Sequence, residues 1–271
     1  MRSLFSTLRD ITLTAIAPST ETIPEGFNTI VHQGLYGDLI DEIQRFRGLI
    51  YARDGAIPDG TLDEQGRHYS DYDYEAWHLV LRDRRQALWG VIRVGVYLHK
   101  PRTTLLEELQ LHTFLSRLSP EVKAPLVAAV EAFIYNSRPL SPVFFEPGGW
   151  AIAEDGRKGT LGPVLVASLW ALGRALGGGT GLAAATKRHQ SADILKKMGG
   201  FEIFIEGSPV EPFYDYYHDC LMELVGFDST SLNPRLAGTV AHIEEYIRSL
   251  PIITRPGDAA ARTPHRVQDA L

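Results

Sequence analysis

Four charged side chains, one carboxylate in an apolar run and one glycine-rich turn carry the chemistry this sequence can do. Arg47, Asp71, Asp73 and Arg93 are two cations and two anions. An arginine fork pairs a carboxylate and an aspartate holds an ammonium, so the set could seat a zwitterion. It could equally be an ion-pair network that orders the polar loop carrying the aspartates. Glu146 lies in the apolar run Phe144 to Ala153. A carboxylate held on a buried strand is a candidate proton acceptor; the alternative is a structural partner for Arg93 or Arg47. The run continues into Glu154-Asp155-Gly156-Arg157-Lys158-Gly159-Thr160-Leu161-Gly162, and a helical pattern follows. A glycine turn between strand and helix gathers unpaired amides at the positive end of the helix dipole. Arg157 and Lys158 add formal charge, so the turn reads as a phosphate seat, with an ordinary tight loop as the alternative.

The elements that must position these groups follow from periodicity. Residues 11–17 alternate as a strand, and Leu35, Leu39, Ile43, Phe46 and Ile50 have helical spacing over 35–52. Residues 54–74 form a polar loop. Residues 76–81 and 87–94 read as strands of a hairpin about Asp83-Arg84-Arg85. Two helices are expected, on the stripes Leu111, Phe114, Leu115, Leu118 and Val122, Leu126, Val130, Phe133, Ile134. These stripes are core, and part of them could wall an acyl tunnel. A helix over 161–176 accepts Pro163 only in its first turn. A strand over 180–186, a short helix over 191–198 closed by Gly199-Gly200, strands over 201–205 and 219–225, and a helix over 242–250 complete the order. The class is α/β, with a sheet that opens antiparallel and becomes partly parallel.

Composition narrows the classes. A chain of 271 residues can bury one large core, expected as one domain over 1–254 with a mobile tail over 255–271. A net charge of -6 gives no reason to expect a nucleic-acid partner. No apolar run reaches the roughly 20 residues of a membrane span, and no signal-peptide pattern opens the chain. One cysteine, Cys220, excludes an internal disulfide and reads as a buried thiol suited to the cytoplasm. The nine histidines lack metal-ligand spacing, so no metal is expected. His78 and His218 sit in strand-like contexts and read as structural. Phe213-Tyr214-Asp215-Tyr216-Tyr217 either lines an acceptor mouth or packs a strand.

Residues 35–225 resemble the GNAT acyltransferase superfamily. The closing run Ser191 to Phe201 is similar to the family's short helix ending in a Gly-Phe pair beside a pantetheine arm. Arg47 with Tyr51, Asp71-Tyr72-Asp73, Arg93 and Glu146 resemble the acyl-homoserine-lactone synthases and the long-chain N-acyl amino acid synthases. The resemblance implies a GNAT fold, a mixed central sheet flanked by helices with an inserted helical pair. It implies Glu146 as catalytic group and Arg47, Asp71, Asp73 and Arg93 as substrate-binding. The phosphopantetheine of acyl-CoA or an acyl carrier protein would lie at Ile152, Ala153, Arg157, Lys158, Gly159, Thr160, Leu161 and Gly162, with the amides of Ile152 and Ala153 facing the thioester oxygen. The lactone synthases carry an arginine three residues after the strand glutamate, where this chain has Gly149. The expected reaction is therefore fatty acylation of a primary amine, first the α-amine of an amino acid. A side-chain or terminal amine of a peptide is the alternative acceptor, and a non-catalytic acyl-CoA sensor is the alternative of another class.

Overall fold

The computed structural model describes residues 11–98, 102–137, 143–157 and 159–257. In chain order its elements are β1 (Ile11–Ile16), β2 (Thr29–Val31), α1 (Gln33–Arg53), β3 (Trp77–Asp83), β4 (Leu88–Leu98), α2 (Arg102–Glu108), α3 (Gln110–Leu115) and α4 (Pro120–Ser137). There follow β5 (Val143–Ile152), α5 (Glu154–Arg157), α6 (Leu161–Ala175), β6 (Gly179–Thr186), α7 (Ser191–Lys197), β7 (Phe201–Glu202), β8 (Phe204–Ile205), β9 (Ser208–Pro209), β10 (Phe213–Asp215), β11 (Cys220–Asp228), α8 (Ala237–Ser249) and β12 (Ile252–Thr254).

One mixed sheet organises them, in the order β10-β11-β6-β5-β4-β3-β1-β12-β2, with β7 added on β11. Alternation assigns its two faces. Trp77, Leu79, Leu81, Phe145, Ala183 and Phe227 pack with α6 and α8 in one core. Phe144, Leu182, Met222 and Leu224 pack with α2, α3 and α4 on the other face, next to a smaller cluster where Ile40 and Ile43 of α1 cover Val80 and Val91. The hairpin β3–β4 is antiparallel, as its period-two pattern requires, and β5 adds antiparallel to β4.

The decisive feature of the sheet is where it opens. β5 and β6 are parallel and pair only at Val143–Gly179, Phe144–Thr180 and Phe145–Gly181. Beyond that point β5 stays on β4 as far as Ile152, while β6 stays on β11 as far as Thr186. The strands part into a V whose apex is a glycine. A Cβ at Gly181 would run into the Phe227 ring and the Phe145 carbonyl. On the β4 side, Gly149 and Trp150 together oppose Ile92 between the pairs Arg93–Gly148 and Val91–Ala151. This is a β-bulge, and Gly149 takes φ +58, which costs a side-chain-bearing residue about 1–2 kcal/mol.

Several expectations change. The inserted pair of helices is joined by a third, α2. The 201–205 strand divides at Ile203, with β7 on β11 and β8 on β9. The glycine-rich turn contains a helical turn, α5. β2 and β12 add parallel strands at the far edge. Arg255 donates from Nε to the Pro18 carbonyl at 2.9 Å, while residues 258–271 of the expected tail lie outside the described residues. Among the described residues no helix is long and apolar enough to cross a membrane. Replacing Gly181 by Ala is expected to destabilise the fold by about 1–3 kcal/mol through overpacking at the apex, read as a lower urea midpoint with an unchanged slope.

Candidate functional site

On the α3 side of the V, Asp73 is fully buried between two arginines. Its Oδ1 accepts from Arg47 Nη1 and Arg93 Nη1, each at 2.8 Å, and its Oδ2 accepts from Arg47 Nη2 at 2.5 Å and Gln44 Nε2 at 2.9 Å. Burial opposes the charge on Asp73, but the Arg47 bonds and the two guanidinium charges outweigh it and hold the carboxyl well below the usual range. Two cations therefore share one anion. The Nε atoms of both Arg47 and Arg93 are buried without a partner among the described residues. Both guanidinium groups abut the bulge: a Cβ at Gly149 would sit 3.2 Å from Arg47 Nη1 and 3.6 Å from Arg93 Nε.

Residues of α1 and the long loop hold this cluster in place. Gly48 lets the loop lie against the helix, since a Cβ there would meet the Gly66 carbonyl at 2.6 Å. His68 donates its amide to the Gln44 carbonyl at 3.1 Å, and its own carbonyl accepts from Arg47 Nη2 at 2.9 Å. Tyr51, one turn after Arg47, donates to the Trp150 carbonyl at 3.3 Å and so ties α1 to the bulge.

Glu146 lies on the same face, 7% exposed, two residues before Gly148. Its Oε2 accepts from Tyr72 Oη at 2.9 Å, Tyr97 Oη at 2.8 Å and the Gln110 amide at 2.9 Å; Oε1 accepts from the Leu111 amide at 2.6 Å. The two amides open α3, where the helix dipole favours an anion. Burial, and next the Glu146 charge, push the Tyr72 and Tyr97 hydroxyls far above their ordinary range, so both stay protonated donors. Arg93 joins the two clusters: it donates to Gln110 Oε1 and lies 4.7 Å from the Tyr72 ring centroid.

Of the predicted site residues, Arg47, Asp73, Arg93 and Glu146 converge. Asp71 does not: it is exposed and accepts from Tyr69 Oη at 2.6 Å. In the 3-10 turn Asp71–Tyr74, residues two apart point in different directions. The Ala153 amide donates to the Trp89 carbonyl at 2.9 Å, so it cannot also face a thioester. By antiparallel alternation, the Ile152 amide is directed away from β4, toward the V. Arg157 is drawn back onto the Ile152 carbonyl at 3.1 Å and pairs with Asp54. Lys158 lies outside the described residues. Gly159 is exposed, Thr160 is the N-cap residue of α6, and Leu161 is a core residue only 2% exposed. Gly162 brings α6 against β5: a Cβ there would meet the Trp150 ring at 3.3 Å and Ile152 at 3.4 Å. Tyr72, Tyr97, Gln44 and Gln110 were missed. Tyr97 shares one strand face with Arg93 and Gly95, a period-two signal that could have found it.

Solved structures share the overall shape of this chain. A CoA-dependent acyl-homoserine lactone synthase, BjaI, in complex with SAM and isopentyl-CoA, is 16% identical over 91% of this chain and 94% of that chain, with a TM-score of 0.51. Its complex with MTA gives 17% identity, the same coverage and a TM-score of 0.50. This chain has the GNAT acyltransferase fold. FeeM, an N-acyl amino acid synthase from uncultured soil microbes, matches at 10% identity over 81% of this chain and 92% of that chain, with a TM-score of 0.43. No protein-family model and no curated protein matches the sequence.

Two histidines border the buried charges of this GNAT fold. Burial, with the Arg47 and Arg93 charges, brings His68 down to about 4. His78, whose Nε2 lies 2.8 Å from the Asp73 carbonyl, is lowered to about 4 mainly by burial. In the unfolded chain a histidine titrates near 6.5. Above that pH both states are neutral. As pH falls from about 6.5 to about 4, the unfolded chain takes up protons that the fold refuses, so stability drops. Unfolding free energy is expected to fall by about 1–2 kcal/mol per histidine between pH 7 and pH 5, and His78→Gln is expected to flatten that slope in urea titrations.

Proposed function

We propose that this chain is an N-acyltransferase that moves a fatty acyl group from a pantetheine thioester to the amine of an amino acid. The observation that carries the reading is the V between β5 and β6, open beside a buried pair of arginines that share a single carboxylate. A V in the sheet admits an extended arm edge-on. Trp150 Nε1, buried and without a partner among the described residues, lies on the α6 side of that opening and would serve an amide of the arm. The amide of Ile152 is the donor available to the thioester oxygen as it gains charge.

Coenzyme A is the favoured carrier. The acyl-homoserine lactone synthase BjaI, of similar shape, is CoA-dependent and was solved with isopentyl-CoA. An acyl carrier protein would need exposed basic residues, and four of the basic residues around the mouth are paired with acids. Lys187 and Lys196 pair with Glu223, Arg188 with Asp219, and Arg157 with Asp54. The acyl chain is placed on the α4 side of β6, along Ala184, Leu182 and Thr180. That row runs for about 13 Å and ends at a cavity of about 270 Å³ lined by Phe133, Thr180 and Phe201 among others.

The acceptor carboxylate would be held by Arg47 and Arg93, whose charge Asp73 balances only in part and whose Nε donors lack partners among the described residues. Gly149 leaves that approach clear. Glu146 already accepts four hydrogen bonds, three of them on Oε2, so on this reading it anchors Tyr72, Tyr97 and α3 rather than acting as the base. The chemistry is attack of a neutral amine on the thioester carbon and loss of the thiol.

Decanoyl-CoA incubated with the common amino acids is expected to yield N-decanoyl amino acids by mass spectrometry. The analogue of the best acceptor lacking its carboxylate is expected to lose at least tenfold in kcat/KM, the equivalent of one charge-assisted hydrogen bond. Binding of decanoyl-CoA without acylation of any amine would replace this reading with that of an acyl-CoA sensor.

A further inference from the structure

On the acylation reading the proton of the acceptor amine still needs a taker, because Glu146 is committed to four hydrogen bonds within its own surroundings. A second acid lies on the same sheet face. Asp215, at the end of β10, is 1% exposed and points to the same side as Phe213, two residues earlier, which packs in the α2–α4 core. Its Oδ2 accepts from the His218 amide at 3.1 Å and pairs with His218 Nδ1, and its Oδ1 accepts from the Tyr217 amide at 3.3 Å. His218 is in the turn between β10 and β11, not in a strand. Its side chain is 28% exposed, and Nε2 has no partner among the described residues.

The buried carboxylate keeps the proton on Nδ1, which leaves the Nε2 lone pair facing outward. Helix α3 sets where it faces. The amides of Gln110 and Leu111 hold Glu146, and about one turn further on (roughly 5 Å along the axis) the Phe114 ring centroid lies 6.0 Å from that of His218. The imidazole thus lies beside the helix that holds Glu146, in the turn leading into β11 at the end of the sheet where β6 has left β5.

We infer that His218 is the general base of this site, with Asp215 as the positioning residue that fixes its tautomer. This rests on the acyltransferase reading and adds the proton path to it. An acceptor ammonium gives one proton to His218 Nε2 and becomes a free amine. The nitrogen lone pair forms the C–N bond to the thioester carbon while the C=O pair moves onto oxygen. When that oxyanion collapses, the C–S bond breaks and the thiolate takes a proton from the adduct nitrogen. The products are an amide, a thiol and an imidazolium that returns its proton to water.

The test compares wild type, His218→Gln, His218→Ala and Asp215→Asn with decanoyl-CoA and the best amino-acid acceptor. Each variant is expected to lose at least 100-fold in kcat, to keep its KM for decanoyl-CoA within twofold and to keep its urea midpoint. Added imidazole is expected to restore part of the rate to His218→Ala. Hydroxylamine, a weakly basic acceptor that needs no deprotonation at neutral pH, is expected to bring His218→Gln close to wild type. A simple packing role would give neither rescue. If wild type acylates amines and the variants keep rates within threefold, or lose rate with no rescue by either reagent, His218 is not the base although the acyltransferase reading stands. If wild type binds decanoyl-CoA and acylates nothing, both readings fall together.

Discussion

A single carboxylate shared by two buried guanidinium groups is the constraint around which the site is arranged. Asp73 cannot leave that position without stranding Arg47 and Arg93 in a low-dielectric interior, where breaking a buried pair costs about 3–5 kcal/mol. Arg47 comes from α1, Arg93 from β4 and Asp73 from the end of the long loop, so one charge cluster fixes three segments distant in sequence. The loop is ordered because its last turn carries the acid. Arg93 then passes the constraint on through Gln110 to α3, whose first amides receive Glu146. The inserted helices are thereby tied to the central strand by polar contacts as well as by the apolar stripe beneath them.

The same arrangement separates two roles that the chain gives to carboxylates. Glu146 is enclosed by donors and organises its surroundings. Asp215 is enclosed too, but it hands one contact to a side chain with a free nitrogen. Burial alone does not distinguish a reactive acid from a scaffold acid; what the donors leave unoccupied does.

Much of this was legible in the sequence. The strands 11–17, 76–81 and 87–94 and the helices after Leu35 and Leu161 follow from apolar spacing, and Glu146 stood out as a lone acid in an apolar run. Arg47, Asp73 and Arg93 were recognisable by type. Their partners were not, because Gln44 and Gln110 reach the cluster only through the tertiary fold. Asp71 misled because the residue beside a functional acid looks identical to it until the 3-10 turn sets its direction. β2 and β12 are three residues each, too short for alternation to register. The split at Ile203 reflects a change of partner along one continuous apolar run, which no local pattern encodes. His218 was passed over because an Asp-x-x-His turn reveals its meaning only when the acid is seen to be buried.

One contact set at the mouth of the V has a consequence for traffic through it. Asp54 and Gly55, just past α1, meet Arg157 from the β5 lip and Arg188 from the β6 lip. These arginines are 31% and 34% exposed, so dissolved ions reach them, whereas the Asp73 cluster inside is almost fully buried. Ionic strength therefore acts on the entrance and hardly at all on the interior. A cell that concentrates or dilutes its electrolytes would retune how readily the split is entered while leaving the geometry within untouched.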